Sequence, residues 1–186
     1  MPVDFFTAPC TRVNGNCQRP NVACKSTLQS SNFGLCDDPP PSSSPAYIDT
    51  TNPTKWIAHV NNPNLKDVTF KAIDNCVEIL RDDNSQESRC DGLLIIGRNL
   101  IFVELKDRAT SGWLSKGRSQ LTITIAKFKQ EHDISQFTIS KAYVCNKQRP
   151  LAVTSINQQM QQFKNDTAIL LNNTGINLIA DRNISI

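Results

Sequence analysis

The sequence predicts an α/β fold, a mixed β-sheet core flanked by α-helices and preceded by an irregular Pro/Cys-rich segment. Three observations carry that expectation. From about Val68 onward, short apolar runs rich in β-branched residues alternate with turns, as strands do. Between two of these runs lies a long stretch whose apolar residues recur at helical spacing. Before residue 64 proline is too dense for either kind of regular structure.

Taken in order, residues 1 to 64 read as an N-terminal extension or small lobe. They hold a Pro/Ser linker from Pro39 to Pro45 and Asn-Pro steps at Asn52 and Asn62. Trp56, Ile57 and Val60 suit a short helix anchored on the main domain, which spans residues 65 to 186. In that domain Lys71 to Leu80 alternates, with Ile73, Val77 and Ile79 on one side and Asp74, Cys76 and Glu78 on the other, and is expected as a strand. A helical spacing of Phe70, Ile73, Val77 and Leu80 is the competing pattern. Asp82 to Arg89 is a polar connection. Gly92 to Ile96 and Leu100 to Leu105 flank a Gly97-Arg98-Asn99 turn and predict a hairpin in the middle of a sheet. Trp113 to Gln130 predicts a helix, with Leu114, Leu121, Ile125 and Phe128 on its apolar face and Lys116, Gln120, Ile123 and Lys127 opposite. Phe137 to Cys145 follows as a strand, Ser155 to Asp166 as a polar helix capped by Ser155, and Gly175 to Ala180 as a last strand. The order β, β, β, α, β, α, β describes a mixed sheet with helices packed on it.

A chain of 186 residues is long enough to bury a core of its own. No run approaches the roughly 20 apolar residues of a membrane span, and the start lacks a basic region followed by an apolar run, so a soluble cytoplasmic protein is expected. Its seven cysteines are then expected mostly as reduced thiols. Cys76, Cys90 and Cys145 fall in apolar runs and suit core packing. Cys10, Cys17, Cys24 and Cys36 are the candidates for a zinc site, but their wide spacing departs from the close pairs that structural zinc uses. The net charge of +3 is unevenly spread. Between Glu104 and Pro150 nine Lys or Arg stand against four Asp or Glu, a segment that would attract a polyanion or simply form a solvated helix face.

The residues that carry chemistry run from Asp91 to Lys106. Asp91 opens one strand of the hairpin, and Glu104 and Lys106 close the other. Residues i and i+2 of a strand share a face, so Glu104 and Lys106 project together while Leu105 turns into the core. The hairpin returns Asp91 beside them. Two carboxylates and the backbone carbonyl of Leu105 are hard oxygen donors suited to magnesium or manganese. Lys106 stands where it can orient or help deprotonate an attacking water and stabilise charge on a phosphate.

This arrangement resembles the PD-(D/E)XK phosphodiesterase superfamily of restriction-endonuclease-like nucleases, over roughly residues 68 to 145. Asp91 matches the first acid, Glu104 the second and Lys106 the lysine, while Cys90 stands where the motif is written with proline. The resemblance implies a restriction-endonuclease-like fold and magnesium- or manganese-dependent hydrolysis of phosphodiester bonds, most simply in DNA. It also implies a role for Gln120 on the following helix, and a further metal-binding acid from Asp74 or Glu78. Lys116, Arg118 and Lys127 are the expected contacts to nucleic acid. So small an enzyme would need homodimerisation or a targeting partner protein, and family analogy suggests the effector of a defence or repair system. The alternatives are a nucleic-acid-binding or protein-interaction module that kept the fold without the chemistry, and an interaction module centred on the N-terminal cysteines. His59 and His132, the only histidines, have no metal-ligand partner at helical or hairpin spacing.

Overall fold

The computed structural model describes residues 3–6, 24–148, 156–171 and 175–186. Along them lie β1 (Lys25–Leu28), β2 (Asn32–Cys36), β3 (Tyr47–Asp49), β4 (Ala58–Asn61), β5 (Val68–Ala72), β6 (Gly92–Ile96) and β7 (Asn99–Lys106). Then follow α1 (Trp113–Glu131), β8 (Thr138–Asn146), α2 (Ile156–Leu170), β9 (Asn177–Ile179) and β10 (Asn183–Ser185). Single 3-10 turns form at Pro53–Lys55 and Ile134–Gln136. The fold is mixed α/β.

Six strands form the main sheet in the order β1-β5-β6-β7-β8-β9. The first four are antiparallel neighbours, and β7, β8 and β9 run parallel. A hairpin needs only a tight turn, whereas the step from β7 to its parallel neighbour β8 needs a long crossover, which α1 supplies. The β6–β7 hairpin closes over two residues because Gly97 adopts φ 58°, a left-handed value open to glycine at no steric cost. A second sheet, β10-β4-β2-β3, covers the opposite face.

Alternation along the central strands sorts the core into two halves. Leu93, Phe102, Ala142 and Val144 pack under α1 and α2 with Leu121, Ile125, Phe128 and Phe163. Leu94, Ile101, Val103, Leu105, Tyr143 and Cys145 face the second sheet and meet Phe33, Leu35, Val60 and Ile184. Both faces of the main sheet are therefore buried, and its middle strands read as nearly continuous apolar runs.

Three expectations are corrected. The strand expected over Lys71 to Leu80 ends at Ala72. Asn75 takes φ 57°, and the backbone N–H groups of Cys76 and Val77 both donate to the Ile73 carbonyl, at 3.1 and 2.8 Å. That turn buries Ile73, Val77 and Ile79 without a strand. Second, the segment before residue 64 contributes four strands, and both sheets draw on it. Trp56, Ile57 and Val60 are buried as expected, but in the turn and strand around β4 rather than on a helix. Third, Cys24 and Cys76 form a disulfide with their Cα atoms 6.3 Å apart. Pairing of β1 with β5 and the turn at Asn75 bring them together, so Cys24 offers no thiolate to zinc and Cys76 is not a free core thiol. Cys36, Cys90 and Cys145 are free and buried, while Cys10, Cys17 and the Ser155 cap lie outside the described residues. Among the described residues no helix is long and apolar enough to cross a membrane.

Candidate active site

Gly92 pairs with Val103 across the hairpin, so Asp91, one residue earlier, lies opposite Glu104. Both carboxylates fall on the face covered by α1. Asp91 is 6% exposed and Glu104 0%. One Asp91 oxygen accepts the Leu105 backbone N–H at 2.5 Å, which ties the first acid directly to the strand that carries the second. Charged groups at such depth are costly unless each oxygen is matched by a donor or a cation. Glu104 Oε1 is paired with the Lys106 ammonium, but Glu104 Oε2 is buried with no hydrogen-bond partner.

The lysine is held from both sides. Its Nζ also donates to Gln120 Oε1 at 3.0 Å, and Gln120 Nε2 donates to the Arg89 carbonyl at 2.9 Å. Gln120 thus bridges Lys106 on β7 to the backbone two residues before Asp91. One helical turn later, the buried Thr124 hydroxyl donates to the Gln120 carbonyl at 2.8 Å and accepts the Cys90 N–H at 2.8 Å. The closeness of α1 to the sheet follows from Gly117. A Cβ there would lie 2.7 Å from Val144 Cγ1 and 3.2 Å from Glu104 Cγ.

Burial first, and then repulsion from Glu104, pushes the Asp91 carboxyl well above its ordinary value. Burial likewise raises Glu104 to about 7, against the opposing pull of Lys106, with Asp74 and Asp37 adding to the rise. Burial alone would lower Lys106, but Glu104 and Asp91 hold its ammonium above the ordinary lysine value. Two adjacent acids that resist ionisation beside a held lysine make this position a candidate functional site.

The structure brings Asp91, Glu104, Lys106 and Gln120 together, keeps Asp74 close enough to act on Glu104, and places the other candidates elsewhere. Asp74 Oδ1 pairs with Arg89 Nε at 2.9 Å, so it supports the segment leading to Asp91, and Glu78 lies beyond the turn that ends β5. Arg118 is engaged by α2, through Asp166 at 3.0 Å and Gln159 at 2.8 Å. Lys127 pairs with Glu131 one turn on, at 2.7 Å. Lys116 is exposed. His132 sits among Phe5, Phe6 and Phe128, and His59 packs edge-on to Trp56; burial lowers both below their ordinary values. Sequence reasoning missed Thr124, Arg89 and Gly117. Thr124 follows Gln120 by one helical turn, which could have marked it as a neighbour.

Among the described residues no three His, Cys, Asp or Glu side chains converge as a metal-holding cluster. A divalent cation here would therefore rest on Asp91, Glu104, the Leu105 carbonyl and water, an arrangement natural to magnesium, which keeps several waters and takes one or two carboxylates. The unmatched Glu104 Oε2 is the atom such a cation would satisfy. No family model, curated protein or solved structure matches this chain.

Proposed function

We propose that the protein is a metal-dependent nuclease with a restriction-endonuclease-like core, hydrolysing phosphodiester bonds of DNA through Asp91, Glu104, Lys106 and Gln120. One observation carries the reading. Two buried carboxylates stand opposite each other on adjacent strands, one keeps an unmatched oxygen, and a lysine held in place by a helix glutamine lies beside them. A purely structural ion pair needs only one acid for one lysine, and it would leave no buried oxygen unmatched. The order of β5, β6, β7, α1 and β8 fits the same reading, and a homodimer or a partner protein would supply targeting.

Asp91 and Glu104, with the Leu105 carbonyl, would hold the cation, which when bound supplies positive charge against the phosphate and lowers the pKa of water. Lys106 keeps its proton at this site, so its role is to present the one N–H not taken by Glu104 and Gln120 to the phosphoryl oxygen as charge develops there. Gln120, anchored at the Arg89 carbonyl, prevents the ammonium from swinging away. With few rotatable bonds left free in this set, positioning contributes to the rate.

Incubation with plasmid and linear DNA, with magnesium or manganese against chelator, tests the proposal. Wild type should cleave, while Glu104→Gln and Lys106→Met should lose about a thousandfold in rate or more, within the range for groups that position or move protons, and keep a cooperative melt. A wild type that cleaves nothing with either metal, together with variants that melt far lower, would identify a structural ion pair instead.

A further inference from the structure

The two flanks of this site carry opposite charge. On the β5 side lies the connection from β5 to β6, where six carboxylates stand against two guanidinium groups between Asp74 and Asp91. Three of them, Asp82, Asp83 and Glu87, line a groove of about 660 Å³ against Ile123, Ala126 and Lys127 of α1. The basic stripe of α1 therefore runs into an acidic wall. On the β8 side the balance reverses, with Lys106, Arg108, Lys116 and Arg118 against Asp107 alone between residues 106 and 118. Arg118 is taken up by α2, which leaves the exposed Arg108 and Lys116 and, just past β8, Lys147 as the cations of this flank.

That flank has a fixed frame. Asn146, 1% exposed at the end of β8, donates to the Arg108 carbonyl at 2.9 Å and accepts the N–H groups of Gln148 and Arg108 at 3.1 and 3.4 Å. Lys147 N–H donates to the Lys106 carbonyl at 2.9 Å. Backbone bonds thus fix the exposed Arg108 and half-buried Lys147 at the C-terminal ends of β7 and β8, with Arg108 close enough to weigh on the Lys106 ammonium and Lys147 lying beside Asp107 and near Cys36. Asp107, the one acid of that stretch, is engaged by Gln148 Nε2 at 2.8 Å and lies 4.0 Å from the Lys147 ammonium, while Asp37 lies close enough to raise Asp91 and Glu104. The first turn of α1, at the same end of β7, contains no acidic residue.

Resting on the nuclease reading, we propose that the phosphate backbone of the nucleic acid crosses the C-terminal ends of β7 and β8 over Arg108 and Lys147, and that the acidic groove beside α1 keeps it off the Lys127 side. A phosphodiester chain suits this end of the sheet because each phosphate needs only a charge or N–H donors, and guanidinium groups bind it in fork geometry.

The test is binding of a short labelled DNA duplex in EDTA, where no cleavage occurs, measured against salt concentration. Replacing Arg108 and Lys147 together with Gln should flatten the slope of log affinity against log salt by about 1.8, the loss of two phosphate contacts. Lys127→Gln should leave the slope unchanged, and both proteins should melt as the wild type does. An unchanged slope in the double variant, an equal loss in Lys127→Gln, or no duplex binding by the wild type at low salt overturns the proposal. A magnesium cleavage assay on the same proteins separates the two readings. Binding through the basic end without cleavage would sink the nuclease and keep the surface, whereas cleavage with an unchanged slope would do the reverse.

Discussion

At the scale of single residues, Glu104 decides how stability should respond to pH. Its carboxyl is raised from 4.5 to about 7 by burial, so between those values the folded protein binds a proton that the unfolded chain has released. Stability then falls as pH rises through that window, because the native state holds more protons than the unfolded one. The loss is on the order of 3 kcal/mol for this group, at about 1.4 kcal/mol per pH unit. Asp91 is raised in the same sense and adds to the fall, while Lys106, raised from 10.5, titrates outside the window. His59 and His132, held below their ordinary value by burial, oppose this fall below about pH 6.5, so the metal-free protein should melt higher at pH 6.5 than at pH 8. Glu104→Gln should remove most of the difference, and magnesium or manganese should restore stability at pH 8, where the carboxylates are ready to bind it. Calorimetry across this range in EDTA checks all three, and a melting point that rises from pH 6.5 to pH 8 without metal would refute the assignment.

At the scale of elements, α1 is both the crossover of the sheet and the lid of the site. A glycine in a helix interior costs about 1 kcal/mol relative to alanine, so on an exposed face Gly117→Ala would stabilise. Here the new methyl would meet Val144 Cγ1 at 2.7 Å and Glu104 Cγ at 3.2 Å. Val144 is β-branched and buried in β8, with little freedom to give way. Overpacking costs typically 1–3 kcal/mol, which outweighs the helix gain, so Gly117→Ala should lower the melting point and, on the proposed nuclease reading, cleavage too, by lifting Gln120 from Lys106. A stabilised, fully active variant would show that α1 has slack over the sheet. The site's central residues were legible because they lie in strong local patterns, Asp91, Glu104 and Lys106 on one hairpin and Gln120 on a 19-residue helix. Period alone could not reveal that Lys71 to Leu80 breaks at Asn75, since the turn satisfies the same alternation of buried residues. Nor could it show that Arg118 belongs to the contact between α1 and α2, because its partner Asp166 lies 48 residues away.

At the scale of the whole molecule, the strand over Asn183–Ser185 joins residues 58–61, where the sequence predicted an appendage. β2, β3 and β4 are three to five residues long and proline-flanked, too short to show a period. Their fourth partner, β10, pairs in parallel with β4 from the other end of the chain. Arg182 fixes that junction, its carbonyl accepting the His59 N–H at 2.7 Å and its Nη2 donating to the Trp56 carbonyl at 2.7 Å. The main sheet depends on this cover. Phe33, Leu35, Ala58 and Val60 are almost fully buried against the face carrying Leu94, Val103 and Cys145. Burying each larger apolar side chain contributes about 1.5–3 kcal/mol, so losing this layer removes an amount comparable to the whole stability of a domain, roughly 5–15 kcal/mol. The Cys24–Cys76 link, which closes 52 residues, adds about 4 kcal/mol on the chain-entropy model. A chain begun at Asn64 should therefore be insoluble or melt without cooperativity, and should cleave nothing even though Asp91, Glu104, Lys106 and Gln120 remain. Reducing the disulfide in the full chain should lower the melting point but leave a cooperative transition, since the second sheet stays in place. A soluble, cooperatively melting chain from Asn64 onward would mean instead that residues 65 to 186 fold alone and that β2, β3 and β4 only dock on them.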